Sequence, residues 1–270
     1  MSSMEISNIT KETLSRMFAE GKRFDSRDLL DYREIEIYND ISNKAEGSAR
    51  IKMGKTDVIV GIKLDIGEPY PDSPDQGNLV CSAELLPLAS PRFESGPPGF
   101  KAIELARLVD RAIRESSMID LSKLCITKGE KVWTVFIDIY PINDDGNLID
   151  ATSIAAVIAL MKTKMPILDK EGKIDYEKKS GSLPLLKGTF PISFSFFKLG
   201  NSIILDPTRE EEEVCEARVS FGISNYNKQC MINSCQKSGT VAFTQEELER
   251  MLDILPTKLD NLYEKLKKHL

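Results

Sequence analysis

The sequence predicts an α+β fold, and three observations support this. Segments that alternate apolar and polar residues, as strands do, are followed by a helical segment, a strand, a second helix, and then strands and a helix again. This order differs from the regular strand–helix repeat of a parallel α/β sheet. The 270 residues are 41% hydrophobic and 29% charged, which is typical of a globular protein with one large domain or two modest ones.

The first half combines short strands with helices. A helical lead-in is predicted over residues 1–30, and Leu14, Met17 and Phe18 recur in it at helical spacing. Alternation predicts the strands that follow, breaker clusters predict the turns, and apolar positions about 3.6 residues apart predict the helices. The predicted strands are 35–38, 48–53, 57–64, 78–88 and 133–140, the turns are 54–56, 95–99 and 143–147, and the helices are 101–115 and 150–164.

A polar stretch separates this half from a second one. Residues 167–190 are rich in charges, Gly and Pro and are expected to be a connector, so the two halves span 31–166 and 191–270. Thr244 with Glu247 predicts a capping box at the start of the last helix, and Pro256 is expected to kink or break that helix. The second half is predicted to hold strands near 192–197, 202–205, 217–224 and 229–234 and a helix over 244–268.

Charge and histidine content exclude several classes of function. The net charge of −6 argues against a protein that coats nucleic acid without specificity, so any RNA contact must be local or shared with a more basic partner. The single histidine, His269, lies beside the C-terminus. A Ser-His-Asp or Cys-His mechanism and a histidine-based metal site are therefore not expected.

Cysteine usage and the N-terminus predict a cytoplasmic protein. The five cysteines form no CxxC pair, so we expect buried free thiols in a reducing compartment and no zinc site. The strongly apolar stretch 154–161 is too short to span a bilayer, and the first residues lack the pattern of a secretory signal. The five cysteines are Cys81, Cys125, Cys215, Cys230 and Cys235.

Five ordered motifs resemble the RNase PH family, and within it the non-catalytic ring subunits of archaeal exosomes. The opening Gly21–Arg27 stretch is similar to the family's Gly-x-Arg-x-Asp-Gly-Arg, with Ser26 in place of a glycine. No single motif is decisive, but their order covers nearly the whole chain. The other motifs lie at 47–50, 76–88, 102–107 and 205–208.

The resemblance implies a fold and an assembly. It implies an RNase PH-like fold of two related halves of the ribosomal S5 domain 2 type, built into hexameric rings. Active members shorten RNA from its 3′ end with inorganic phosphate as the attacking group. In archaeal exosomes, active subunits alternate with inactive ones, RNA enters a central channel, and cap proteins with S1 or KH domains sit on one face.

The site that phosphorolysis needs is incomplete in this sequence. Holding a phosphate dianion against the RNA requires fixed guanidinium groups and backbone N–H donors. Active members place an arginine-bearing loop after the strand that is 133–140 here, but this chain reads Gly146 to Asp150 there and has no basic residue between Lys131 and Lys162. Asp144, Asp145 and Asp150 would repel phosphate. The pair Phe100-Lys101 stands where active members carry two arginines.

An acidic pair of the family is partly kept. Asp206 matches its first member, and Glu212 replaces the second aspartate with a side chain one methylene longer, so the two read as a vestigial acidic site. The simpler interpretation, which we favour, is that Glu210 to Glu213 form a solvated acidic run.

The helix predicted at 101–115 carries the remaining functional signal. Arg107 and Arg111 share one face, with Arg114 beside them. Spacing alone favours local ion pairs for these arginines with acidic residues of the same helix. The resemblance instead implies contacts to the RNA backbone for Arg107 and Arg111 and leaves Arg114 open.

Other arginines are weaker candidates for RNA contact. Arg50 and Arg92 could also touch the backbone. Arg23, Asp25 and Arg27 are expected to form an internal ion-pair cluster that orders the N-terminal segment.

Three hypotheses follow. The first is an inactive ring subunit, not an enzyme. It would structure a catalytic partner's active site and bind single-stranded RNA in the channel. Its other partners would be S1/KH-domain cap proteins, and no contact with membranes is expected. It needs no cofactor or metal of its own; the partner would use inorganic phosphate, with Mg²⁺ left open. The second is a phosphorolytic exoribonuclease in its own right that uses Asp206 and Glu212. The third is a stand-alone RNA-binding or scaffold protein.

Overall fold

The computed structural model describes residues 7–169, 171–226 and 229–269, so positions 1–6 of the predicted lead-in lie outside the described residues. The predicted α+β class is confirmed. The helices are α1 (Asn8–Ala19), α2 (Phe100–Glu115), α3 (Leu148–Lys162), α4 (Arg209–Val214) and α5 (Gln245–Leu266). The strands are β1 (Ile35–Asn39), β2 (Gly47–Met53), β3 (Thr56–Gly67), β4 (Asn78–Ala83), β5 (Cys125–Thr127), β6 (Lys131–Asn143), β7 (Lys164–Leu168), β8 (Ile174–Ser182), β9 (Ile192–Leu199), β10 (Ser202–Leu205), β11 (Ala217–Tyr226) and β12 (Gln229–Gly239).

The first half is built on one sheet with the strand order β1-β2-β3-β6-β4, with β5 paired to β6. The strands β4 and β6 run parallel, and the other neighbours are antiparallel. β2 and β3 form the predicted hairpin, since Met53 pairs with Thr56 across a two-residue turn. Helix α3 lies against β2 and β3, and its residues 149–160 are buried, as its continuous apolar run predicts.

The second half is a four-stranded antiparallel sheet with the order β10-β9-β11-β12. Helix α3 reaches this sheet at β9, and α2 contacts β9, β11 and β12, so the two helices join the halves. The approach of α2 is close at Gly222, where an added Cβ would lie 2.9 Å from the Cβ of Ala112. The α2 helix therefore lies directly over β11, with a glycine at the contact.

One predicted strand is too long, and one of the two expected effects of Pro256, a break in the last helix, does not occur. Strand β4 ends at Ala83, short of residue 88, because Pro87 lacks an N–H for the sheet and the chain turns there, with Ala89 N–H donating to the Leu86 carbonyl. Helix α5 is not broken at Pro256. Pro256 is exposed on α5, where water can hydrate the carbonyl that the missing N–H leaves unpaired.

The segment 167–190, expected to be a connector, contains the end of β7 and all of β8, which form a β-hairpin. β7 pairs with β8, and most of β8 is exposed. An exposed strand needs no alternation of apolar residues, which is why the polar sequence indicated no strand. At the end of the chain, the predicted capping box of Thr244 and Glu247 is confirmed.

Two further expectations concern the state of the cysteines and the presence of a membrane-spanning segment. All five cysteines are free thiols; four are half-buried and Cys235 is exposed, so the prediction of buried thiols is wrong for Cys235. No helix among the described residues is both long and apolar enough to cross a membrane.

Candidate nucleic-acid interface and an adjacent pocket

The loop between β6 and α3 is held by side chains from elsewhere in the chain. Gly146 has φ +86°, and a Cβ there would lie 2.6 Å from the Pro207 carbonyl oxygen, so only glycine fits. Asn147 follows with φ +54° and donates its backbone N–H to Oε2 of Glu212 at 2.7 Å. Arg33 donates to the carbonyl oxygens of Asp145 and Gly146 at 2.9 and 3.1 Å. The loop therefore contributes no positive side chain and is fixed around a carboxylate.

Asp206 is the centre of a buried ionic network. It is 0% exposed and has φ +47°. Its carboxylate accepts from Nε and Nη2 of Arg33 at 2.9 and 2.7 Å, from Arg27 at 3.1 Å and from the side-chain amide of Asn147 at 3.0 Å. All of its strong partners are internal, so the structure gives Asp206 a role in joining the N-terminal segment to the second half.

The predicted acidic pair is divided by Asn147. The Asn147 side chain reaches Asp206 in the interior, while its backbone N–H reaches Glu212 on the other side. Glu212 lines a pocket, and Asp206 is not among the residues that line it. The two carboxylates therefore do not face a common space.

The interpretation of Glu210–Glu213 as a solvated acidic run is wrong for three of its four residues. Glu211 is buried in an ion pair with Arg23, Glu212 accepts from Asn147, and Glu213 pairs with Arg92. Glu210 alone is exposed in this run. The compensating arginines come from distant parts of the chain, so the local pattern could not show that the carboxylates are paired.

The predicted cluster at the N-terminal segment forms only in part. Arg27 Nε lies 2.7 Å from Asp25, as expected, but the same guanidinium also reaches Asp206. Arg23 turns away to Glu211. The segment is thus ordered by contacts with residues 205–211 more than by contacts within itself.

A cavity of about 170 Å³ opens beside the loop, between the start of α2, α4 and β11. Three cationic and four acidic side chains line it. Most are paired with each other: Arg218 lies 2.6 Å from Glu104, and Arg92 pairs with both Asp144 and Glu213. The cationic side chains are Arg92, Lys101 and Arg218, and the acidic ones are Glu104, Asp144, Glu212 and Glu213.

Two charged groups of this cavity are left without an ion-pair partner. Lys101 makes no hydrogen bond or ion pair within the described part of the chain, although its charge acts on Glu212. Burial raises the pKa of Glu212, and the nearby Asp144 carboxylate raises it further. A cavity with this balance has no uncompensated guanidinium for a phosphate dianion.

The pKa of a second carboxyl group, that of Asp150 behind the loop, is also shifted. Burial raises the pKa of Asp150 to about 6, against hydrogen bonds from Tyr32, Ser195 and Asn147 that favour the charged form. The Tyr32 hydroxyl donates to Oδ2 of Asp150 at 2.7 Å. Asp150 is 0% exposed, so it belongs to the interior and is not available to meet phosphate. Within residues 7–169, 171–226 and 229–269, no three His, Cys, Asp or Glu side chains are grouped as metal ligands.

The exposed face of α2 presents arginines of two kinds. Arg107 is exposed and makes no hydrogen bond or ion pair among the described residues. Arg111 is half-buried, and its Nη1 lies 3.4 Å from Oε1 of Gln236. Arg114 pairs with Asp110 at 2.7 Å and donates to the Leu79 carbonyl at 2.9 Å. Of the local pairs that spacing favours, the Arg114–Asp110 pair forms.

The weaker candidates for RNA contact, Arg50 and Arg92, both form ion pairs with carboxylates. The Arg50 guanidinium makes a bidentate contact with the Asp57 carboxylate, with Nε 2.9 Å from Oδ1 and Nη2 2.7 Å from Oδ2. Arg92 forms ion pairs with Asp144 and Glu213 at the pocket. The uncompensated arginines of the predicted set are therefore Arg107 and Arg111.

Sequence reasoning missed two residues. Arg33 gives Asp206 its strongest contacts, yet its partner is remote and nothing local to Arg33 marks it. Gln236 could have been found from strand register, because it pairs with Ser220 and so shares the face of β11 and β12 that Gly222 presents to α2.

Comparisons with known proteins agree along the chain. The model of the 3′ exoribonuclease (RNase PH) family matches residues 31–166 with its domain 1 and residues 189–254 with its domain 2. The exosome complex component Rrp42 of Methanothermobacter thermautotrophicus is 42% identical over 266 residues, which are 97% of this chain and 96% of that protein. Rrp42 of Thermococcus onnurineus is 43% identical over 274 residues, 98% of this chain and 97% of that protein.

Solved structures give the same result for the fold. A chain of the Archaeoglobus fulgidus exosome with RNA bound to the active site superposes with a TM-score of 0.88 at 41% identity, covering 96% of this chain and 98% of that one. A chain of an archaeal exosome core superposes with a TM-score of 0.84 at 37% identity, covering 96% and 97%. Rice Rrp46, at 16% identity and a TM-score of 0.65 over 91% and 98%, shares the fold.

Proposed function

Because the chain belongs to the RNase PH family of 3′ exoribonucleases, we propose that it is a non-catalytic ring subunit of an archaeal-type exosome and holds RNA for a catalytic neighbour. One observation carries the non-catalytic part of this proposal. The pocket beside the β6–α3 loop has both of its arginines neutralised, and a glutamate accepts from the backbone at the start of α3.

Phosphorolysis makes a strong electrostatic demand that this pocket does not meet. An inorganic phosphate dianion must approach a phosphodiester that is itself an anion, while the 3′ oxygen leaves and a nucleoside diphosphate is released. Preorganised positive groups aimed at the phosphate are the main source of such catalysis. Here Arg92 and Arg218 are paired with carboxylates, and Glu212 adds a further acidic group to the same pocket. The pocket would repel the attacking phosphate.

The RNA-binding part of the proposal rests on Arg107 and Arg111. Both lie on α2, share a face and retain their charge, because neither is paired with a carboxylate in the described residues. Guanidinium groups of this kind contact phosphates and position RNA without reading its sequence. Arg114, Arg50 and Arg92 are less suited to that role, since each already contacts a carboxylate.

The relatives suggest the partners. Similar proteins are named exosome components, and one similar structure is an exosome with RNA bound to its active site. We propose a hetero-hexameric ring in which this chain alternates with a catalytic RNase PH-like subunit, structures its active site and binds single-stranded RNA. S1/KH-domain cap proteins would dock on the ring. The catalytic partner would use inorganic phosphate, with Mg²⁺ left open, and the expected location is the cytoplasm.

The test compares the chain alone, the catalytic partner alone and their mixture. Each is incubated with a 5′-labelled single-stranded RNA, with and without inorganic phosphate, and nucleoside diphosphate release is measured beside molecular mass. We expect no phosphate-dependent shortening by the chain alone, and a ring that degrades RNA when the partner is added.

Two other outcomes would overturn this proposal. Phosphate-dependent shortening by the chain alone that is lost in Glu212→Gln would make it an exoribonuclease in its own right. A chain that binds RNA but forms no assembly with the partner would be a stand-alone RNA-binding protein.

A further inference from the structure

We propose that Gln236 of β12 is a positioning residue for RNA binding, which holds the Arg111 guanidinium beside the open edge of the second sheet without neutralising it. The inference rests on the proposed function, because the ligand is the phosphate backbone of single-stranded RNA. It adds a second element, β12, to an RNA contact otherwise confined to α2.

Strand register places Gln236 under α2. Ser220 of β11 pairs with Gln236 of β12, and Gly222 pairs with Ser234. Paired residues of antiparallel strands, and every second residue along a strand, share one face of the sheet. That face meets α2 at Ala112, where the helix comes within contact of Gly222. Gln236 therefore projects toward the turn of α2 that carries Arg111.

β12 lies at the end of its sheet. The strand order β10-β9-β11-β12 leaves one side of β12 without a neighbouring strand in the described part of the chain. Gln236 is half-buried between that side and α2. An extended chain could therefore lie along this edge with the Arg111 guanidinium beside it.

Two of the three carboxylates of α2 that could neutralise its arginines are paired with other basic residues. Glu104, one turn before Arg107, is paired with Arg218. Asp110 is paired with Arg114. Arg111 makes no ion pair with Glu115, and its polar neighbour on β12 is an uncharged amide. Glu104 and Asp110 thus have their own basic partners, while Glu115 forms no ion pair within the described residues.

An amide partner can hold an arginine side chain in place without cancelling its charge. The contact from Nη1 to Oε1 of Gln236 is 3.4 Å, which is long for a hydrogen bond and holds the side chain only loosely. A guanidinium has five N–H donors, so one contact to Gln236 leaves the others for phosphate oxygens. A glutamate at this position would instead form an ion pair and cancel the charge.

The experiment measures binding of the assembled ring to a labelled single-stranded oligoadenylate over a series of salt concentrations. We expect Gln236→Glu to weaken binding by on the order of five- to tenfold and to reduce the salt dependence by about one phosphate contact. Gln236→Ala should weaken binding less and leave the salt dependence unchanged, because the charge of Arg111 remains. Gln229→Glu is the matched control, since it puts the same charge on an exposed site roughly 20 Å away along β12.

A double-mutant cycle separates an effect through Arg111 from a direct repulsion of RNA. In an Arg111→Gln ring, Gln236→Glu should have little further effect if Gln236 acts through Arg111. An equal loss in both backgrounds would overturn the inference, as would wild-type affinity and salt dependence in the Gln236→Glu ring while Arg111→Gln weakens binding. If Arg107→Glu with Arg111→Glu changes neither affinity nor salt dependence, the proposed RNA role of α2 itself fails, and the inference fails with it.

Discussion

The backbone N–H of Asn147 donates to the carboxylate of Glu212 across 2.7 Å. Asn147 is the residue that precedes α3, so this donor belongs to the positive end of a helix. An acidic side chain from α4 therefore sits where a helix start would otherwise attract an external anion. This contact, together with the neutralised arginines beside it, is the physical basis for the proposal that the chain is non-catalytic.

The first prediction concerns that contact. Glu212→Ala removes the acceptor and leaves the Asn147 N–H unpaired, so we expect a loss of about 1–3 kcal/mol in the free energy of unfolding. Glu212→Gln keeps an acceptor and removes a charge whose burial is unfavourable, so it should change stability by less than about 1 kcal/mol. Urea unfolding measures both. Glu210→Ala, on the same helix but exposed, is the control, and an equal loss in all three variants would contradict the role of the contact.

The second prediction concerns Asp206 and Arg33. The pair is buried and joined by two guanidinium contacts at 2.9 and 2.7 Å. Asp206→Asn leaves the buried Arg33 guanidinium with only the half-buried Asp145 carboxylate, at 3.3 Å, as counter-charge. It should destabilise the chain by about 3–5 kcal/mol. Glu264→Gln breaks an exposed pair and should cost less than about 1 kcal/mol. A small loss for Asp206→Asn in the same urea titrations would mean that the network is not structural.

The third prediction is a pH dependence set by Asp150. Its pKa in the folded chain is about 6, above the ordinary value of 3.8, so the folded state binds the proton more tightly than the unfolded state does. The stability that this group contributes is therefore present in full below pH 3.8 and lost as the pH rises through about 6. Relative to Asp150→Asn, the wild type should lose up to about 3 kcal/mol across this window.

Unfolding by urea at several pH values between 4 and 7 checks this prediction. The difference between wild type and Asp150→Asn removes the titration of all other groups that the two chains share. Asp253→Asn, on the exposed side of α5, is the control for the loss of one carboxylate. A difference for Asp150→Asn that stays flat between pH 4 and 7 would show that Asp150 does not titrate in this range.

The fourth prediction separates the arginines of α2. Arg107→Gln should weaken RNA binding by the ring and leave the free energy of unfolding within about 0.5 kcal/mol, because Arg107 is exposed and unpaired in the described structure. Arg114→Gln should have the opposite profile, since Arg114 bonds Asp110 and the Leu79 carbonyl. We expect it to lower stability by about 0.5–1.5 kcal/mol with RNA affinity unchanged. Filter binding and urea unfolding of both variants give the comparison, and matching profiles would contradict it.

Much of the fold could be predicted because its signals are local. The alternation in β2, β3 and β6 reports strands buried against α3, and the apolar run of α3 reports a helix covered on all sides. The capping box at Thr244 is also a local pattern. The β7–β8 hairpin escaped prediction because it is largely exposed, and an exposed strand does not require alternation.

The features of the candidate site are also of two kinds: some are local in the sequence, and others depend on contacts between distant segments. The absence of basic residues in the β6–α3 loop and the helical spacing of Arg107 and Arg111 can be predicted without the structure, because both are properties of contiguous residues. Which of the arginines remain without a carboxylate partner depends on the tertiary contacts. It pairs Glu211 with Arg23, Glu104 with Arg218 and Arg111 with an uncharged glutamine, and these partners come from distant segments. Coulomb interactions depend on distance in space, so the fold determines which charges can act on a ligand.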